Sequence, residues 1–181
     1  MRPLQSIAMG LVIVALRAPL IGNYDALPDP LGWVLVILGC RGLPADLPRR
    51  DTVVTLAWLA ALVSVPLWFP GVSAAAFAIH PSLAWALTLP QLGFAAVLCH
   101  SLATSAAEAE DHKSASWLRL AMAGFVVAAV LPVMVFGGGV GSLELTADVG
   151  AAVVLLALIW LLFSYSARPW AIEQPIDGPV D

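Results

Sequence analysis

The sequence predicts an all-α membrane protein, a bundle of about six transmembrane helices with both termini on the cytoplasmic side. Of its 181 residues, 61% are hydrophobic and 11% are charged, whereas soluble domains average roughly 45–50% and about 25%. The mean hydropathy is +0.93, so too few polar residues exist to cover a soluble core and the apolar excess must face lipid. Six apolar segments approach the roughly 20 residues that cross a bilayer.

The six predicted spans follow one another with short joints rich in Gly, Pro and Asp, residues typical of turns. The first runs over about 4–22, and the second, 30–43, is short, about 21 Å of helix. Four longer spans follow at 52–69, 82–104, 117–136 and 147–167. Residues 1–168 are therefore predicted to form one transmembrane domain. The remaining 169–181 form an acidic, proline-containing cytoplasmic tail, whose composition is typical of disorder.

Basic residues fall on one side of this arrangement, which sets the predicted orientation. With the N-terminus inside, seven of the eight Lys and Arg residues lie at cytoplasmic ends: Arg2, Arg41, Arg49, Arg50, Lys113, Arg119 and Arg168. The outer loops hold only acids: Asp25, Asp29, Glu144 and Asp148. Because short loops rich in Lys and Arg are retained in the cytoplasm, this partition favours six spans. Five tryptophans also fall near predicted span ends, as expected at headgroup level: Trp33, Trp68, Trp85, Trp117 and Trp170.

The most unusual polar feature is Arg17, close to the segment NYDALPDPLGW at 23–33. Arg17 is about 13 residues into its span, roughly 20 Å into a core about 30 Å thick. A charge at that depth is costly and typically faces the bundle interior beside a partner, for which Asp25 and Asp29 are the nearest candidates. Asp29 also has a local explanation, since Asp can cap a helix whose first position is Pro30. A structural ion-pair lock and a functional site both stay open.

Three prolines, Pro66, Pro90 and Pro132, each interrupt the outer half of a predicted span. Proline removes one backbone hydrogen bond and exposes carbonyls that neighbours or water must satisfy. Gln91 adds an amide beside Pro90, and Asp148 lies at the start of the sixth span. These features are compatible with an acidic vestibule that opens outward, or with prolines that only shape packing. The candidate polar cluster comprises Arg17, Asp25, Asp29, Gln91 and Asp148.

The stretch DALPDPLGWVLVILGCRGL at 25–43 resembles a segment of small bacterial multi-pass membrane proteins of unknown activity. In those proteins an apolar first helix precedes DxxPDxxG and an aromatic residue. The matching positions are Asp25, Pro28, Asp29, Gly32 and Trp33. The resemblance implies a multi-pass topology and supplies no mechanism.

No catalytic, cofactor-binding or metal-binding residues are predicted. The glycines at 137–141 lack the Lys and Ser or Thr of a phosphate-binding loop, and no serine lies in GxSxG. Cys99 and His100 would point about 100° apart on a helix, which makes a shared metal ion unfavourable. A net charge of −4 without a basic run argues against nucleic acid as a partner.

The composition therefore predicts an integral protein of a bacterial cytoplasmic membrane, since the Ala-rich spans and the excess of Arg over Lys are those of a GC-rich genome. The first functional hypothesis is a non-enzymatic accessory or structural component that packs against a membrane protein partner or a second copy. Gly124 and Ala128 could allow close helix approach to such a partner or within the bundle. The alternative is a small transporter or channel for ions or small solutes. A membrane enzyme ranks third, because no paired acid and base is evident.

Overall fold

A computed structural model describes residues 2–16, 29–69, 71–72, 81–138 and 144–171. Within them the chain forms six α-helices and a short 3₁₀-helix, and no strand. The helices are α1 (Pro3–Ala15), α2 (Asp29–Arg41), α3 (Arg50–Leu67), α4 (Pro81–Glu108), α5 (His112–Gly138) and α6 (Glu144–Tyr165), and the 3₁₀-helix is Pro169–Ala171. The predicted all-α class is confirmed.

Three helices of the described part are long and apolar enough to cross a membrane, over Arg50–Leu67, Trp85–Glu108 and His112–Val133. Shorter apolar helices occupy Pro3–Ala15 and Val149–Tyr165. The outward surface is apolar as well, and its most exposed large side chains are Leu62, Trp160 and Leu120. Helices that are apolar on both their inner and outer faces are typical of a membrane-embedded protein.

The six helices form a closed ring. Each helix packs against the helices before and after it in the chain, and α1 also packs against α6. Neighbours run antiparallel: Trp85, early in α4, contacts Ala129, late in α5. The end of the ring where α1 begins and α2 ends is called the basic end, because it contains Arg2, Arg41, Arg49, Arg50, Lys113, Arg119 and Arg168.

The buried core occupies the half of the ring nearest the basic end. In α4 the buried residues start at Phe94, in α5 they stop at Phe125, and in α6 they start at Leu158. Beyond these positions, none of the described side chains of the three helices is buried. Helices α4, α5 and α6 therefore pack tightly at the basic end and loosely at the opposite end.

Helices α1 and α2 make the closest approach in the described part, through three glycines. A Cβ built on Gly32 would lie 2.7 Å from the carbonyl oxygen of Gly10, and one on Gly39 would lie 2.6 Å from an α1 side chain. The Ser6 hydroxyl, at the same interface, donates a hydrogen bond of 3.0 Å to the carbonyl of Leu35. Glycine permits this contact because only hydrogen atoms separate the two backbones.

Trp33 lies in the core, at 2% exposure, rather than facing lipid headgroups as its place near a span end predicts. Its ring packs edge to face on Phe94 of α4, with the centroids 5.4 Å apart. The large apolar area of an indole is more stabilising in a packed core than at an interface, and the side of α2 on which it lies faces the ring interior. Trp33 thus connects α2 to a helix that is not its sequence neighbour.

Gly124 serves packing within the ring. A Cβ built on it would lie 2.8 Å from Cγ2 of Val154 in α6. Of the two interpretations that the sequence left open for this glycine, the structure supports internal packing. The contact brings α5 and α6 together at the level where the buried core ends.

Candidate functional site

The structure describes Asp29 and Gln91 of the predicted polar cluster and the backbone of Asp148, whereas Arg17 and Asp25 lie outside the described residues. Asp29 begins α2 and is half-buried, in the first turn, where a carboxylate interacts favourably with the helix dipole. Gln91 is half-buried in α4, about 15 Å along the helix from its first residue. Asp148 lies near the start of α6, and its side chain is outside the described part. The helix starts of α2 and α6 both lie at the end opposite the basic end.

The three predicted prolines lie inside helices α3, α4 and α5, in the loosely packed half. Pro132 leaves the carbonyl of Ala128 without its usual amide donor. One residue further, the carbonyl of Ala129 accepts a hydrogen bond of 2.8 Å from the indole Nε1 of Trp85. This bond joins α4 to α5 where few buried side chains do so.

Two further features lie in the loose half. The indole Nε1 of Trp68, at the end of α3, is buried and has no hydrogen-bond partner in the described part of the chain. Gly93 in α4 has room for a methyl group, since a Cβ there would meet Leu56 at 3.9 Å, an ordinary contact distance. Both residues lie beside the prolines of their own helices.

The tightly packed half is sealed by apolar side chains. The buried polar residues among those described are serines, and each hydroxyl is already bonded within the protein. Ser6, Ser64, Ser101 and Ser166 donate to backbone carbonyls at 2.8–3.0 Å, and Ser114 donates to Asp111 at 2.7 Å. A serine that bonds back to its own helix presents no free donor to a passing solute.

Asp111 organises the basic end. It precedes α5 and acts as its N-cap, because one carboxylate oxygen accepts a hydrogen bond of 3.2 Å from the Ser114 amide. The other oxygen accepts a bond of 3.3 Å from the Trp170 indole and lies 3.7 Å from Nη1 of Arg168. The ring of Trp170 in turn packs edge to face on Tyr165. We call Asp111, Ser114, Arg168 and Trp170 the latch, since they fasten the segment after α6 to the turn between α4 and α5.

The latch is a charged group outside the spans, and its electrostatics follow from its contacts. The hydrogen bond from the Ser114 side chain holds the pKa of Asp111 below its ordinary value. Partial desolvation opposes this, whereas the Ser114 amide, the Trp170 indole and the Arg168 charge lower the pKa further. Asp111 is therefore ionised at neutral pH and accepts all of these bonds.

Metal and nucleophile chemistry has no assembled site in the described residues. No three His, Cys, Asp or Glu side chains of that part lie together as metal ligands would. Cys40 and Cys99 are buried and free, each within the core of its helix. Their surroundings are those of small apolar residues.

Sequence reasoning missed the latch, although its signal was present. Asp111 immediately before a helix, with Ser114 three residues later, is a helix-start pattern. The contact with Arg168 and Trp170 spans more than fifty residues and has no local signature. Comparison of the chain with family models, with curated proteins and with solved structures finds no match.

Proposed function

We propose that this protein is a non-enzymatic accessory or structural component of a bacterial cytoplasmic membrane. One observation carries the proposal: in the described part, the tight half of the ring is filled by apolar side chains, and the hydroxyl of each buried serine there is bonded internally. Such a core offers few polar side chains with which to hold or transform a substrate. Packing alone then accounts for the composition of this interior.

The proposal includes six spans with both termini inside. The clustering of Lys and Arg at one end of the ring supports a cytoplasmic basic end. The closed ring supports a crossing by α2 as well, since α2 packs against α1 and α3. At 13 residues, α2 is about 20 Å long, so the bilayer would thin locally beside it or its ends would snorkel.

Recognition would take place within the bilayer, by a membrane protein partner or a second copy. A partner helix would pack against exposed apolar side chains on α5 and α6, and this contact would depend on shape rather than on charge. Examples of these side chains are Leu120, Val127, Val153 and Trp160. Association of helices in lipid depends on such packing, because lipid tails are as apolar as the side chains themselves.

The experiment is purification in a gentle detergent at native expression level, with mass spectrometry of the copurifying proteins. The proposal expects a stoichiometric membrane protein or a homo-oligomer of defined mass. A monomer that carries no protein partner, across several detergents, would contradict it. A variant with Leu120→Ala and Val127→Ala tests the face directly, with Leu31→Ala on α2 as the exposed control.

A small transporter or channel is the second candidate, favoured by the loosely packed half. Asp29, half-buried Gln91 and the unpartnered indole of Trp68 would line a vestibule whose acidic charge concentrates cations. Its test is ion or solute flux in proteoliposomes, with Asp148→Asn and Asp25→Asn against the basic-end control Asp46→Asn. Flux that only the first two variants change would support transport. Flux absent from the unmodified protein over a broad solute panel would refute it.

A further inference from the structure

Four arginines meet at one corner of the basic end, and we call them the arginine corner. Arg2 precedes α1, Arg41 ends α2, and Arg49 and Arg50 lie at the start of α3. The residue after Arg2, Pro3, would lie 3.4 Å from a Cβ built on Gly42, so the start of α1 packs on the residue that follows Arg41. The fold therefore brings together charges that lie up to 48 positions apart in the sequence.

The guanidinium of Arg41 lies over the indole of Trp58 on the outer surface of the helix bundle. Its Cζ lies 5.9 Å from the ring centroid of Trp58, a cation–π arrangement. Trp58 is 52% exposed, on a helix that is long and apolar enough to cross the membrane. Trp58 lies eight residues, about 12 Å, along α3 from Arg50, so the exposed Arg41 side chain extends from the basic end over the apolar surface of that helix.

Arg50 fixes the corner from the α3 side. Its Nη2 donates a hydrogen bond of 2.6 Å to the carbonyl of Arg41, whereas its Nε is buried and has no acceptor in the described part. None of the four arginines forms an ion pair with a described carboxylate, although Asp46 and Asp51 lie exposed in the same segment. With those two acids included, the corner keeps a net charge of +2.

We propose that the arginine corner binds the phosphate headgroup of an anionic phospholipid. Arginine donors in a fork match phosphate oxygens, and the corner has more donors than acceptors. The lipid, rather than a soluble anion, is the partner because the exposed ring of Trp58 offers an apolar surface to its acyl chains beside the charged donors. Basic pockets at helix ends on the side of the anionic leaflet are known to hold such headgroups. The proposed lipid site requires only that the protein is embedded in a membrane. It does not depend on the accessory role.

The test uses the full chain purified in a nonionic detergent. Short-chain phosphatidylglycerol and phosphatidylcholine with the same acyl chains are titrated separately, and bound lipid is counted by native mass spectrometry. The variant Arg41→Gln with Arg49→Gln removes two charges from the corner and leaves the Arg50 bond in place. The control Lys113→Gln with Arg119→Gln removes two exposed charges from the same end of the molecule, on α5.

Each basic residue near an anionic surface strengthens binding roughly 5-fold at low ionic strength. The corner variant is therefore expected to bind phosphatidylglycerol about 25-fold more weakly, and the control is expected to bind as the unmodified protein does. Equal losses in both variants, or equal binding of phosphatidylcholine, would overturn the proposal. Displacement of the lipid by millimolar inorganic phosphate would also overturn it, by showing a site for free anions. If the corner variant aggregates, Arg49→Gln alone replaces it, with a weakening of about 5-fold expected and undiminished binding as the contrary result.

Discussion

Replacing Gly32 with alanine should force α1 and α2 apart. A Cβ at this position would lie 2.7 Å from the carbonyl oxygen of Gly10 and 2.8 Å from Cγ2 of Val14, whereas ordinary contact begins at 3.4 Å. The backbones would have to separate by several tenths of an ångström. Overpacking of this kind costs about 1–3 kcal/mol, and the better helix propensity of alanine returns roughly 0.5–1 kcal/mol. The expected net destabilisation is about 1–2 kcal/mol.

The assay is thermal unfolding in detergent, followed by helical circular dichroism. For a chain of this size each kcal/mol corresponds to about 2–4 °C, so Gly32→Ala should lower Tm by roughly 2–8 °C. Gly150→Ala is the matched control, because a Cβ there meets nothing within 4 Å. The Tm of Gly124→Ala should lie between those of the other two variants, because the new Cβ would meet a Val154 side chain rather than backbone. Equal Tm for Gly32→Ala and Gly150→Ala would refute the close approach of α1 and α2.

Three further predictions concern the remaining polar contacts. Trp85→Phe removes the indole donor to the carbonyl of Ala129 and should cost about 1 kcal/mol, measured as a lower Tm, whereas an unchanged Tm would show that the bond contributes nothing. The folded-state pKa of Asp111 is lowered, so its stabilisation is present above its ordinary pKa and is lost as pH falls through the folded value. Asp111→Asn should therefore lower Tm at pH 7 and flatten the decline in acid; a variant with the unmodified pH profile would contradict this. Arg17→Gln should lower Tm in detergent, and adding Asp29→Asn should restore part of the loss, whereas full stability of the single variant would exclude the ion-pair lock.

The helical class and its interruptions could be predicted because they depend on composition and local chemistry. An apolar excess this large has to face lipid, and a proline falls inside a helix wherever apolar residues continue on both sides of it, as they do at Pro66, Pro90 and Pro132. The structure confirms those positions. Which carbonyl accepts the hydrogen bond from Trp85 could not be predicted, since it depends on the axial register between α4 and α5.

The tertiary contacts escaped prediction because they depend on which faces meet. The sequence identifies Gly32 only as part of a motif and places Trp33 at headgroup level, yet Gly32 allows the approach to α1 and Trp33 fills the core against Phe94. Their adjacency has a physical reason: neighbouring residues on a helix point about 100° apart, so one can face α1 while the next faces the ring interior. Likewise, Asp111 gave a local capping signal, but its contact with Trp170 depends on where α6 ends.

The six-span arrangement is the claim on which both functional proposals rest, and α2 is the helix that decides it. The measurement is labelling with a membrane-impermeant maleimide in intact and permeabilised cells. Single cysteines are introduced as Asp46→Cys, Glu110→Cys and Asp25→Cys, after the two buried native cysteines are replaced with alanine. Six spans predict that the first two positions are labelled only after permeabilisation and that the third is labelled in intact cells. Labelling of both Asp46→Cys and Asp25→Cys in intact cells would contradict the crossing by α2, and labelling of Asp46→Cys would by itself contradict the cytoplasmic basic end.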